Sequence, residues 1–125
     1  MNTLARAPHL LALDRWMLLA MRVRLALAPD EPDVLKAYLD DGLTLITVHG
    51  QAPWKVHERS LSLLLETASD ALLPVVWRMS CLDQCYRPLG QLGPLVDSDL
   101  RAARLRTLSW RLARFSLHPT DSESQ

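Results

Sequence analysis

The sequence has 125 residues and a formal charge of zero, because 14 Lys and Arg balance 14 Asp and Glu. This length predicts one domain with a single core, and the charge balance excludes an overall electrostatic attraction to nucleic acid or to an anionic membrane. Hydrophobic residues make up 49 % of the chain and glycine occurs only four times. Such a composition is typical of a packed helical protein rather than of a disordered one.

The first predicted helix is strongly apolar. Residues 1–7 are expected to be a disordered lead, and the helix runs from Pro8, which suits a first helical turn, to about Ala28. Its charged residues fall on a narrow stripe, so most of its circumference is apolar. A helix of this kind must be covered on more than one side, either by the rest of the chain or by a second molecule. Because the charges also interrupt the apolar run, we expect no membrane span and no signal peptide, and a cytoplasmic location.

Residues 43–48 are predicted to form the one principal strand. The second helix has an acidic start at Asp30, and an acidic pair followed by Gly42 is expected to end it. The β-branched residues between Gly42 and Gly50 then favour an extended segment. A lone strand leaves its backbone donors and acceptors unpaired. We therefore expect it to pair with a second copy across a homodimer axis, or to add to the sheet of a partner protein.

Three more helices complete the predicted fold. They run from Pro53 to Leu73, from Val75 to Tyr86, and from the cap at Asp97 to about Leu117, with a loop at 87–94 and a polar, disordered tail at 119–125. An alternative for residues 75–79 is a second strand that pairs with 43–48. The fold is thus predicted to be a single α-dominant α+β domain over residues 8–118, with about five helices packed around one principal strand.

The predicted interaction surface is centred on the strand. The candidate partner or dimer interface comprises Leu43, Leu45, Ile46, Val48, Trp16 and Trp54. The strand residues supply the mating surface, and the two tryptophans are candidate anchors because aromatic residues concentrate at interface hot spots. Ordinary core packing is the alternative for both tryptophans.

The last helix carries a second candidate surface. Its possible contacts to phosphate or to an acidic partner are Arg104, Arg111, Arg114 and Trp110. A basic helix with an aromatic residue is typical of nucleic-acid binding, but the domain as a whole is not basic and nothing before the helix predicts a helix-turn-helix. The alternative is that these arginines pair with the acidic segment 30–41, within or between subunits.

The two cysteines predict neither a disulfide nor a metal site. Cys81 and Cys85 are four residues apart, which on a helix separates their Cβ atoms by about 5–6 Å, more than a disulfide allows. A structural zinc site needs four ligands, and no second pair of Cys or His accompanies them.

Phosphate-cradling loops, metalloprotease motifs and Gly-flanked nucleophilic serines are also missing from the sequence. We therefore expect no metal, no cofactor and no enzymatic activity. A redox or small-ligand sensor around the cysteines is a further hypothesis.

These observations favour a small regulatory protein that acts by stoichiometric protein–protein binding. We expect a homodimer that occupies an apolar or dimerisation surface of another protein, as an adaptor, antiactivator or chaperone does. The partner is expected to be a transcription regulator or a secretion substrate. The alternative is a nucleic-acid-binding regulator that uses the Arg-rich C-terminal helix.

Overall fold

The chain folds into packed helices. The computed structural model describes residues 8–117, apart from the side chains of His9, Ser116 and Leu117. These residues form six α-helices and a 3-10 turn at Gly93–Leu95, and they contain no strand. The helices are α1 (Pro8–Arg24), α2 (Asp33–Thr47), α3 (Pro53–Ser69), α4 (Val75–Gln84), α5 (Tyr86–Leu92) and α6 (Asp99–Leu117). The prediction of an α+β fold is therefore wrong. The predicted lead at 1–7 and tail at 119–125 lie outside the described residues.

The predicted strand at 43–48 belongs to the end of α2 and the turn after it. Tyr38 and Leu45, seven residues apart, are both buried, which follows the turns of a helix rather than the alternation of a strand. The β-branched threonines fit the helix because the hydroxyl groups of Thr44 and Thr47 each donate to the carbonyl four residues earlier, at 3.2 and 3.0 Å. Backbone pairing of this segment across a dimer axis is therefore excluded as the mode of interaction.

Gly42 lies within α2 and does not end the helix. The absence of a side chain at this position makes room for a tryptophan. A Cβ atom built on Gly42 would lie 3.3 Å from the indole nitrogen of Trp16 and 3.2 Å from Cγ1 of Val56. The same indole N–H donates to the carbonyl of Tyr38 over 2.9 Å, and the two rings stack with their centroids 5.1 Å apart. The glycine therefore permits the close approach of α1 and α3 to α2. The glycine near the end of the helix is Gly50, two residues after the C-cap Val48, and its φ of 71° is a conformation that favours glycine.

One further segment differs from its predicted structure. Residues 87–94, predicted as a loop, lie in α5 and in the 3-10 turn. Pro88 is compatible with α5 because it lies in the first turn, where its missing N–H removes no intrahelical hydrogen bond. The helix predicted from Val75 is confirmed as α4, and the alternative of a second strand at 75–79 is wrong.

The end of α1 is a left-handed turn formed by an alanine. Ala26 has a φ of 50°, and the N–H groups of Ala26 and Leu27 donate to the carbonyls of Val23 and Arg22. This pair of bonds is the Schellman pattern, in which the left-handed position is usually glycine. The motif ends α1 at Arg24, before the predicted end at Ala28.

The core is organised around α3, which contacts each of the other five α-helices. Its buried residues lie on several sides of the helix and include Val56, Leu61, Leu64 and Leu65. α3 is thus the central helix of the fold. None of the helices within residues 8–117 is long and apolar enough to span a membrane.

Replacement of Gly42 by alanine tests the contact between α1 and α2. We expect Gly42→Ala to lower the free energy of unfolding by about 1–2 kcal/mol, because Trp16 is fixed by its hydrogen bond and the new Cβ overpacks the site. The matched control is Gly90→Ala in α5, where an added Cβ meets no atom within 4 Å, and where helix propensity should raise stability by about 0.5–1 kcal/mol. Urea unfolding followed by circular dichroism measures both. An equal stabilisation by the two substitutions would contradict the packing described for Gly42.

The turn after α1 gives a second test with the opposite sign. We expect Ala26→Gly to raise the free energy of unfolding by about 1 kcal/mol, because glycine adopts the left-handed conformation without the steric cost that alanine carries. The control is Ala28→Gly, outside the motif, which should stabilise nothing. If Ala26→Gly destabilises the protein in the same urea titration, the left-handed turn is not the native conformation.

Candidate protein-binding surface

Large apolar side chains remain exposed along one face of α1 and the turn that follows it. We call this set the outer face of α1, and its members are Leu10, Leu11, Met17, Leu18, Met21, Leu25 and Leu27. Each is between 39 and 63 % exposed. Single exposed leucines are ordinary on a protein surface, but a group of this size on one side of the molecule makes a candidate interaction surface.

The spacing within the outer face is that of a coiled coil. Leu11, Leu18 and Leu25 recur every seven residues, and Met21 lies three residues after Leu18. Asp14 occupies the equivalent position three residues after Leu11, so one polar residue interrupts an otherwise apolar seam. A heptad seam of this kind packs against another helix, and a single polar residue within it fixes the register of the pair.

The opposite side of α1 is fixed in the protein. Trp16 and Val23 are buried, and the carbonyl of Val23 accepts a hydrogen bond of 2.9 Å from the indole N–H of Trp77 in α4. Ion pairs hold the helix at its margins, with Arg15 at 3.2 Å from Asp41 and Arg24 at 2.9 Å from Asp70. The outer face is therefore presented by a rigid element, which reduces the entropy lost when a partner binds. The Arg24 guanidinium also lowers the pKa of Asp70.

The six predicted interface residues lie in different environments and range from buried to exposed. Trp16 and Leu45 lie in the core, Ile46 and Trp54 are partly buried, and Leu43 and Val48 are exposed. The indole of Trp54 packs under the guanidinium of Arg101 at 4.9 Å. These six residues do not form one surface. The outer face of α1 was indicated in the sequence only by the apolar circumference of the first helix, which did not specify the side left open.

The arginines of α6 are partly engaged within the chain. Arg104 donates to Glu58 of α3 over 2.8 Å, rather than to the acidic segment 30–41. Arg114 lies over the ring of Trp110 on its own helix at 4.9 Å, and Arg111 is half-buried. The contact of these residues with phosphate or with an acidic partner stays a prediction.

Both cysteines are free thiols in the core. Cys81 and Cys85 are fully buried, and the thiol of Cys85 donates to the carbonyl of Cys81 over 3.4 Å. Burial raises the pKa of each thiol to about 12, so the reactive thiolate is scarce at neutral pH. Among residues 8–117 no group of three His, Cys, Asp or Glu side chains is placed to hold a metal ion.

Comparison with known protein families, with curated proteins and with solved structures finds no match to this chain.

The burial of the cysteines predicts that they do not react in the folded protein. We expect Ellman's reagent at pH 8 to modify Cys81 and Cys85 about a thousandfold more slowly in the native state than in urea, because a pKa near 12 suppresses the thiolate and the core excludes the reagent. The unfolded chain, in which both thiols react, is the internal control. Rapid native-state labelling of either cysteine would restore the hypothesis of a redox sensor.

Proposed function

We propose that this chain is a small regulatory protein that acts by stoichiometric binding to another protein, as an adaptor, antiactivator or chaperone does, through the outer face of α1. The observation that carries the proposal is the group of seven exposed apolar side chains, with leucines at coiled-coil spacing, on a helix whose other side is fixed in the core. The binding surface is thus a helix face and not a strand edge.

The size of the outer face supports this proposal. Its side chains, each about half exposed, present on the order of 700 Å² of apolar surface. The largest apolar patch on a typical monomer is about 300–600 Å², and each partner in a stable interface buries about 800 Å². The face is therefore large enough to supply most of one side of a stable interface.

A second copy of the chain fits the same surface. In an antiparallel pair of α1 helices that crosses at Leu18, Leu11 of one copy lies level with Leu25 of the other. A partner protein with a comparable heptad face would compete with this self-association, and such competition is a simple mechanism for an antiactivator or chaperone.

The substitution Leu18→Glu tests the proposal in the purified protein. We expect the wild-type chain to sediment as a dimer and Leu18→Glu to sediment as a monomer, because the change places two carboxylates at the centre of the apolar contact. Since Leu18 is exposed in the single chain, the free energy of unfolding should change by less than about 0.5 kcal/mol when both proteins are measured at concentrations low enough to be monomeric. The matched control is Leu100→Glu at the start of α6, where the leucine is 81 % exposed outside the outer face and the variant should remain dimeric.

The same variants identify the partner. In affinity purification from the native host, a true partner is recovered with wild type and with Leu100→Glu, and lost with Leu18→Glu. A monomeric wild-type chain that recovers no protein specifically lost by Leu18→Glu would refute the proposed function.

A further inference from the structure

A cavity of about 330 Å³ lies between α2, α3 and α5, and none of its lining residues belongs to α1. Its apolar wall includes Leu39, Val56 and Pro88, while His57 and Arg87 provide polar groups. The volume is at the lower end of the range of about 300–1,000 Å³ found for small-molecule sites, and an apolar wall with a few polar groups is the usual composition of such sites. The cavity is independent of the binding surface on α1.

The charges beside the cavity favour an anionic ligand. Arg87 contributes Nη2 to an ion pair with Oδ1 of Asp40 at 3.0 Å, and Nζ of Lys36 lies 2.9 Å from Oδ2 of the same carboxylate. Two cations thus share one anion, and hydrogen bonds from Lys36 and then Arg87 hold the pKa of Asp40 below its usual value. Only Nη2 of Arg87 makes a hydrogen bond to Asp40, so the remaining N–H groups of the guanidinium can donate to a ligand.

His57 supplies a second polar group inside the same cavity. The residue is 8 % exposed, and its ring makes no hydrogen bond with the part of the chain that the structure describes. Burial lowers the pKa of His57, so the ring is neutral at pH 7 and presents one N–H donor and one acceptor. Neither ring nitrogen is sealed from solvent, since the Tyr38 hydroxyl is the one buried, unpartnered side-chain polar atom among the described residues, so both are open to a ligand in the cavity.

We propose that the cavity binds a small organic monocarboxylate with an apolar body of about six carbon atoms. The carboxylate binds the guanidinium of Arg87 and the N–H of His57, and the apolar body packs against Leu39, Val56 and Pro88. The class of ligand follows from the N–H donors that Arg87 and His57 offer at one side of the cavity and from the apolar wall at the other.

A matched set of probes tests the chemistry of the ligand. Hexanoate and hexan-1-ol both have six carbon atoms in a straight chain, but only hexanoate carries a charge. Titration of each into the full ¹⁵N-labelled chain therefore separates charge recognition from apolar burial. We expect hexanoate to shift the amide resonances of residues 57, 87 and 90 saturably, with a Kd of about 1 mM or tighter. Hexan-1-ol should bind about tenfold more weakly or worse.

Four variants test the location of the site. Arg87→Gln should weaken hexanoate about tenfold and leave hexan-1-ol unchanged, whereas Lys36→Gln, which removes the other cation on Asp40 outside the cavity lining, should retain hexanoate binding. Gly90 lines the cavity with free space around its Cβ position, so Gly90→Leu should fill the site and abolish the binding of both probes. Gly90→Ala controls for the loss of glycine and should still bind hexanoate.

This test of the cavity does not depend on whether the α1 surface binds a partner. The variant Leu18→Glu, which changes that surface, should bind hexanoate with the affinity of the wild type. Equal affinity for the alcohol and the acid, unchanged hexanoate binding by Arg87→Gln or Gly90→Leu, or no saturable shift up to about 20 mM would overturn the proposal. Thermal unfolding of each variant confirms that a loss of binding is not a loss of fold.

Discussion

The packing of the Trp16 indole against Gly42 is the contact on which the arrangement of α1 and α2 depends. Because position 42 carries no Cβ, the indole approaches the backbone of α2 closely enough to donate to the Tyr38 carbonyl at 2.9 Å. This bond satisfies a polar group that would otherwise cost about 1–3 kcal/mol to bury. A second indole, that of Trp77, donates to the Val23 carbonyl near the other end of α1. Two buried tryptophans thus fix the orientation of α1 and with it the direction of its outer face.

Several helix starts could be predicted from the sequence because their signals are local, although α2 begins at Asp33 and not at the predicted Asp30. Pro8 and Pro53 begin α1 and α3 as predicted, and the hydroxyl of Ser98 accepts a hydrogen bond from the backbone N–H of Arg101 at the start of α6. The continuation of α2 through Gly42 could not be predicted in this way. A glycine that ends a helix and a glycine that admits a tryptophan look the same until the partner in space is known, and the β-branched residues after Gly42 strengthened the wrong choice.

Only part of the candidate sites could be predicted from the sequence. The apolar circumference of the first helix correctly raised the question of what covers it, but Trp16 and Leu18 are both large apolar residues, and only the docking of α1 determines that one is buried and the other exposed. The cavity could not be predicted from the sequence, because His57 and Arg87 are 30 residues apart and Arg87 was predicted to lie in a loop. They line one cavity since α5 is a helix that packs on α3.

Gly42 also connects the two surfaces physically. It lines the cavity on one side and lies beneath the Trp16 indole on the other, so the cavity wall and the anchor of α1 share one backbone position. The shape of this cavity wall and the position of α1 therefore both depend on the absence of a side chain at residue 42.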